Sequence, residues 1–500
     1  MEILQFLLIS WLDPKLLLLT AAGTFAGIYV GAVPGLSVTM AASILIGFTF
    51  SWEVNEALAL IAGVFVGGVY GGSRTAILLN IPGAPSAIAT ALDGYPLAKK
   101  GLAGEAIGLS TVMSVMGGFI GIIALSVAAP AISDLALQFN SRDYLLLGLI
   151  GILLVGTLSG ESLAKGVFCG ALGVLIGMVG LDPMTAQGRF TFGSLNLMGG
   201  VPYVVAMIGF FGVGEALYQL EHVGRDRIKQ KVSRIVPSWR DVRRYLGVGL
   251  RASGIGTIIG ALPGTGGDIA ALLAYDDAKR TTKDPEVPFG EGAKEGLIAP
   301  EAANNAAVGG AFVPMLTLGI PGDAVTAIII GALFIHGLQP GPLLLVNTPH
   351  LFWFIVGNLA LANVFLLIFG LTGIRIFTKI VECPRAILIP LIVILSAVGS
   401  YAIQNNPVHI YWTLAFGVVG YFLKKYGFQV APIILGVILG PMMDANYRRA
   451  MIGARGEPSQ FFLDFVTNPI SLVLSIALVL LILSQTPAFR WVRSWKRRHG

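Results

Sequence analysis

The chain has 500 residues, of which 55% are hydrophobic and only 12% charged, and its mean hydropathy is +0.80. A soluble surface draws on about 25% charged residues, so the composition excludes a soluble domain of this size and points to a bilayer as the solvent. The net charge of +6 lies mostly in two basic clusters and not over the whole surface.

In chain order, the first apolar run starts at Leu16, after Asp13 and Lys15. It has neither a basic start nor a small-residue cleavage site, so no cleaved signal peptide is expected. This run is broken at Pro34-Gly35-Leu36-Ser37, and the next at Pro82-Gly83-Ala84-Pro85-Ser86, with Ser73, Arg74, Thr75 and Asn80 just before it. Another uncharged run begins at Tyr144. Eight basic residues then lie between Arg225 and Arg244, an arrangement expected of a cytoplasmic loop. Further breaks follow at Pro263-Gly264-Thr265-Gly266 and at Pro321-Gly322-Asp323, the latter preceded by Glu301, Asn304, Asn305 and Thr317. The run from Ile470 reads as a terminal anchor helix, closed by a second basic cluster at Arg490, Arg493, Lys496, Arg497 and Arg498. Juxtamembrane clusters of this kind serve as topology signals and lipid head-group contacts, and nucleic-acid binding is set aside. The two cysteines, Cys169 and Cys383, sit apart in apolar surroundings and read as packing residues.

The breaks are organised by an internal repeat. Gly27, Gly31, Pro34 and Gly35 align with Gly256, Gly260, Pro263 and Gly264 at an offset of 229, and Ile81-Pro82-Gly83 aligns with Ile320-Pro321-Gly322 at an offset of 239. The ten extra residues fall in the polar stretch between Asp276 and Glu295. A weaker match pairs Gly173 with Gly436. The expected fold is an all-α polytopic membrane protein of two repeat-related halves, inverted relative to one another, with broken helices and re-entrant segments. The expected divisions are 1–220, a basic cytoplasmic connector at 221–244, a second membrane repeat at 245–467, and a terminal helix and basic tail at 468–500.

Proline removes an amide hydrogen and glycine permits unusual dihedrals, so Pro-Gly in an apolar run stops a helix and frees backbone groups. Half-helix N-termini offer amides to an anion, and unwound carbonyls can coordinate a cation. The candidate anion contacts are therefore Pro34, Gly35, Ser37, Ser73, Arg74, Asn80, Pro82, Gly83, Pro263, Gly264, Thr265, Asn304, Asn305, Pro321 and Gly322. The guanidinium of Arg74 can take a carboxylate in two parallel bonds or pair with Glu301. Glu301, Thr317 and Asp323 are candidates for a coupling cation, Na+ or H+, with helix capping the competing role for the two acids. His336 reads as structural. No catalytic residues, cofactor or other metal are expected, and the absence of a GxxxxGK[ST] loop argues against ATP-driven transport by this chain alone.

These residues resemble the TctA family, the large membrane subunit of tripartite tricarboxylate transporters. The matching blocks are GAVPGLSVTMAASILIGFTF from Gly31, YGGSRTAILLNIPGAPSAIATALDGYPLAKKG from Tyr70, PGTGGDIAALLAYDDAKR from Pro263, and a long block from Ala299 through GIPGDAVTAIIIG to FIHGLQPGP. The resemblance implies cation-driven uptake of a small polycarboxylate across the bacterial inner membrane. It also implies two partners: a small TctB-like membrane subunit and a periplasmic TctC-like solute-binding protein. Carried over by position, the signature residues are Pro34, Gly35, Ser37, Ser73, Asn80, Pro82, Gly83, Asp93, Gly94, Tyr95, Pro96, Pro263, Gly264, Glu301, Asn304, Asn305, Pro321 and Gly322. Arg74 stands where the family pattern calls for a small hydroxyl residue. Rival readings are a passive anion channel, which would need neither gradient nor binding protein, and an intramembrane transferase, which would need a paired nucleophile and base.

Overall fold

Asp13 starts the first long helix by accepting the amides of Lys15 and Leu16, with Pro14 at the first helical position, where a missing amide costs nothing. The computed structural model describes residues 2–33, 36–158, 163–182, 185–221, 235–373 and 385–484. Over that range the chain is helical apart from connections and one two-stranded antiparallel ladder, Gly180–Leu181 with Gly188–Arg189. Among the described residues, five helices are long and apolar enough to cross a bilayer, or six if the bent pair Pro458–Thr467 and Pro469–Leu483 is one span. The chain is a multi-pass, almost wholly α-helical membrane protein.

Two compact units divide it, one made of residues 1–133 and 207–421, the other of 134–206 and 422–500. The later segment of the first unit contains the basic connector, and the second unit takes one segment from each side of it. Residues 222–234 of that connector and the basic tail from 485 lie outside the described residues.

The first unit opens with α1 (Glu2–Leu12), α2 (Pro14–Ala32), α3 (Val38–Thr49), α4 (Val54–Leu79), α5 (Ala87–Leu97) and α6 (Ala103–Ala136). Glycines set how closely α2 and α4 approach. A Cβ on Gly27 would stand 2.4 Å from the Val64 carbonyl oxygen, and Gly23 and Gly31 meet Leu60 and Gly68 in the same manner. Both residue numbers rise together along this seam, so α2 and α4 run parallel. Lipid gives apolar side chains no reason to hide from it, and such backbone contact is what holds membrane helices together.

The later segment of this unit contributes α11 (Gly214–Glu221), α12 (Trp239–Gly260), α13 (Gly266–Thr281), α14 (Lys294–Leu318), α15 (Ala324–Ile335), α16 (Pro342–Asn347) and α17 (Pro349–Thr372), while the short α9 (Leu195–Met198) and most of α10 (Tyr203–Met207) precede it in the second unit. Here α12 lies against α14 as α2 does against α4: Gly256 meets the Ala303 carbonyl and Gly260 that of Ala307. Between the two segments, α4 and α14 run antiparallel. Ser73 reaches Glu301, Val69 reaches Asn304 and Phe65 reaches Phe312, one number rising as the other falls.

In the second unit α7 (Ser141–Leu158) and α8 (Leu163–Gly177) pack with helix Ala431–Gly453. Gly173 meets the Ile433 carbonyl and Gly177 that of Val437, a parallel pair. Polar groups tie this unit inside: Ser471 donates to Asp143 at 2.5 Å, and Arg189 bonds Asp182 and Asp444. Arg448 joins the same two acids.

Candidate functional site

The second and fourth breaks are built alike. α4 ends on Asn80 in the left-handed region (φ 56°), whose amide returns to Ala76 while that of Ile81 returns to Thr75. α14 ends on Gly319 (φ 71°), with Gly319 returning to Met315 and Ile320 to Pro314. This double return is the motif that closes a helix and lets the chain turn sharply. Asn and Gly are the residues that tolerate the required dihedral. Pro82 and Pro321 follow, where continuation of the helix would demand an amide they lack.

The breaks then gather. Gly264 donates to the Gly322 carbonyl at 2.8 Å, joining the third break to the fourth, while a Cβ on Gly83 would stand 2.2 Å from the Gly31 carbonyl oxygen, just before the first break. Ser86 joins the two sets. Its amide donates to Asp268 at 2.9 Å, and its hydroxyl receives the amide of Asn304, which also donates to the Val69 carbonyl. Gly267 packs against the Asn304 carboxamide with no room for a side chain. Asn80, Pro85 and Asp268 keep open surface here, although α4 and α14 on either side are buried along most of their lengths.

Electrostatically the region is acidic, with Asp268 near enough to Asp323 to repel it. Asp323 closes a capping box with Thr326 at the start of α15, so one of its oxygens is engaged by the Thr326 amide. Ser37 caps α3 in the usual way, accepting the Met40 amide at 3.1 Å. By contrast α13 starts without a side-chain cap, and the Thr265 hydroxyl donates instead to the carbonyls of Ile259 and Leu262. Pro34 and Gly35 lie outside the described residues.

Glu301 is 1% exposed and accepts four hydroxyls. Ser73 and Thr90 reach it at 2.5 Å each, Ser110 at 2.9 Å and Ser114 at 3.0 Å, drawing α4, α5, α6 and α14 onto one carboxyl group. Arg74 turns elsewhere: buried to 1% exposure, it donates to the Phe369 and Gly370 carbonyls near the end of α17 and lies over the Tyr70 ring. The Phe369 carbonyl also accepts the Gly373 amide, and the guanidinium adds charged donors to this last turn of the helix. The Asn305 carboxamide donates back to the Glu301 carbonyl and the Thr317 hydroxyl to that of Val313, both within their own helix. His336 is a helix end whose two ring nitrogens meet the carbonyls of Ala332 and Trp52.

Asp93 in the DGYPLAKKG segment is fully buried. It accepts the amides of Gly290, Gly292 and Ala293 at 2.8–2.9 Å and the Tyr275 hydroxyl, fastening α5 to the start of α14. Gly94 packs on Ile77, Pro96 lies within α5, and Lys99 covers the Tyr95 ring. The sequence pattern did not single out Asp268, Thr90, Ser110 or Ser114, and it gave Ser86 only as the end of the second break. Asp268 had a visible signal, an acid five residues after Pro263 in an apolar context, and Ser110 and Ser114 share one face of an otherwise apolar helix.

Residues 17–435 match the model of the tripartite tricarboxylate transporter TctA family. An uncharacterised 52.8 kDa protein of Agrobacterium vitis, named for its place 3′ of ttuC′ in TAR-I, is 37% identical over 472 residues, covering 94% of this chain and 93% of that one. A second, from the TAR-II region of the same organism, is 41% identical over 236 residues, covering 47% of this chain and 96% of its own length. No solved structure matches. On the family match and this near full-length likeness, the chain belongs to the TctA family, the large membrane subunit of tripartite tricarboxylate transporters.

Proposed function

We propose that this chain is the permease subunit of a cation-coupled secondary transporter that imports a small organic polycarboxylate across the bacterial inner membrane. Its substrate is handed over by a periplasmic TctC-like binding protein, and a TctB-like subunit accompanies it in the bilayer. The observation that carries the reading is the junction at Ser86, where interruptions from both segments of the first unit meet beside open surface. Backbone dipoles freed by Pro-Gly breaks can replace the water a carboxylate leaves behind. The nearby acids Asp268 and Asp323 repel a bare polycarboxylate, and a cation entering with it offsets that repulsion. The charge of the site thus supports coupling to a cation gradient.

The two segments are in our reading an inverted repeat moving by alternating access. Three features support this: matching caps at Asn80 and Gly319, matching glycine seams at Gly27 on Val64 and Gly256 on Ala303, and the antiparallel run of the repeat-related helices α4 and α14. The match of Gly173 with Gly436 takes no part, since those helices run parallel.

Uptake of labelled tricarboxylates and dicarboxylates into proteoliposomes holding the full complex, with binding protein outside and sodium and pH gradients imposed separately, tests the function. Asn304→Ala leaves Ser86 and Val69 without their shared donor, and saturable uptake is expected to fall at least about tenfold, the effect of roughly 1.4 kcal/mol at the junction. Unimpaired uptake by that variant, at equal membrane insertion, would remove Asn304 from the site.

A further inference from the structure

Two buried carboxylates in the first unit are held by different kinds of donor. Three backbone amides and a phenol hold Asp93. An amide can only donate, so three of these four partners of Asp93 are fixed as donors, all on one oxygen. Glu301 receives hydroxyls only from Ser73, Thr90, Ser110 and Ser114 in its hydrogen-bond shell, each at most 1% exposed. A hydroxyl can turn to donate or to accept. The shell therefore serves a carboxylate, with four donors, and equally a carboxylic acid, with one hydroxyl reversed to accept its proton.

Spacing selects the cation. A hard metal ion holds oxygen ligands about 2.3–2.6 Å from itself, which sets neighbouring ligand oxygens on the order of 3.4 Å apart. The four hydroxyl oxygens stand 2.5–3.0 Å from the Glu301 oxygens, direct hydrogen-bond distances with no gap for such an ion. Only a proton fits between them.

We propose that Glu301 is the proton-binding group that couples transport, a proposal that rests on the transport reading above. Hydronium on one side gives up the proton, its O–H bond breaking as one forms on a Glu301 oxygen, and on the other side that bond breaks as water takes the proton back to form hydronium. A clasp links this group to the Ser86 junction. Thr90 on α5 bonds Glu301 on α14, and Ser86, one turn earlier on α5, bonds Asn304, one turn later on α14. Protonation turns the first rung from a charge-assisted bond into a neutral one, about half as strong. The second rung, where Ser86 also meets Asp268, is held by the same pair of helices. Of the other titratable groups on the surrounding helices, Arg74 and Tyr70 on α4, Glu56 on α4 with Lys15, Asp93 on α5 with Tyr275 on α13, and Glu105 on α6 with Lys294 on α14 have bonds of their own. Tyr95 on α5 lies under Lys99, and Asp134 and Glu295 sit at the far end of α6 and in the first turn of α14.

Glu301→Gln keeps the shape and removes the titration. Under an imposed pH gradient its accumulation of labelled carboxylate is expected to fall at least about tenfold, within the range of coupling factors between linked sites, and its counterflow to lose its response to pH. Accumulation equal to wild type, or wild-type accumulation that follows a sodium gradient and ignores pH, would overturn the proposal. Infrared titration of the purified complex decides the same point without transport. A carboxylic-acid carbonyl band that disappears as pH rises, is missing in Glu301→Gln, and changes its midpoint in Thr90→Val supports it, whereas an identical band pattern in wild type and Glu301→Gln overturns it. Wild-type vesicles that carry no carboxylate under any gradient would sink the transport reading, and the infrared result would still assign or dismiss the proton on Glu301.

Discussion

Arg74 shows how one side chain's partners decide between two roles. From the sequence it could take a substrate carboxylate or pair with Glu301. In the fold its guanidinium reaches carbonyls 295 and 296 residues away, at Phe369 and Gly370. Removing a charged donor from buried acceptors costs about 1.5–3 kcal/mol for each bond. Arg74→Thr is accordingly expected to lower the unfolding temperature in detergent by several degrees while the order of preference among anions stays the same. A changed preference at an unchanged unfolding temperature would return Arg74 to the substrate.

The same residue marks the limit of what the sequence discloses. The breaks at Pro82-Gly83 and Pro321-Gly322 were legible because proline and glycine write their backbone consequences locally, within a few residues. The hydroxyl shell of Glu301 was not, since Ser73 lies 228 residues away and Thr90 lies 211. Nothing local in either helix states which face meets which. Ser110 and Ser114, four apart in an apolar helix, said that a polar partner existed without naming it.

Among elements, the seams between α2 and α4 and between α12 and α14 depend on glycines with no space for a methyl group. A Cβ on Gly256 would stand 2.1 Å from the Ala303 carbonyl oxygen, but one on Gly254, in the same helix, meets nothing within 4 Å. Overfilling a close contact costs about 1–3 kcal/mol, whereas an open helical glycine loses only its backbone freedom on replacement. Gly256→Ala and Gly27→Ala are therefore expected to destabilise the complex by about that amount, and Gly254→Ala to leave it as stable as before or slightly more so. Equal melting of Gly254→Ala and Gly256→Ala would mean that the seam does not bear on stability. The spacing of these glycines was readable at this level, because the offset of 229 pairs Gly27 and Gly31 with Gly256 and Gly260, which meet the carbonyls.

For the whole molecule, composition alone indicated a membrane protein, and the long apolar helices agree with it. The compact units were not legible, because each combines stretches from both sides of the basic connector. In the proposed transporter, the interruptions around Ser86 hold the transported anion. Asn80 lies on the open surface of that region, so a single cysteine there, with Cys169 and Cys383 replaced by alanine, reports on occupancy. Labelling of Asn80→Cys by a membrane-impermeant maleimide is expected to slow by about tenfold or more at saturating carboxylate, equivalent to about 1.4 kcal/mol of protection. A labelling rate that is the same with and without a carboxylate the complex transports would contradict the claim.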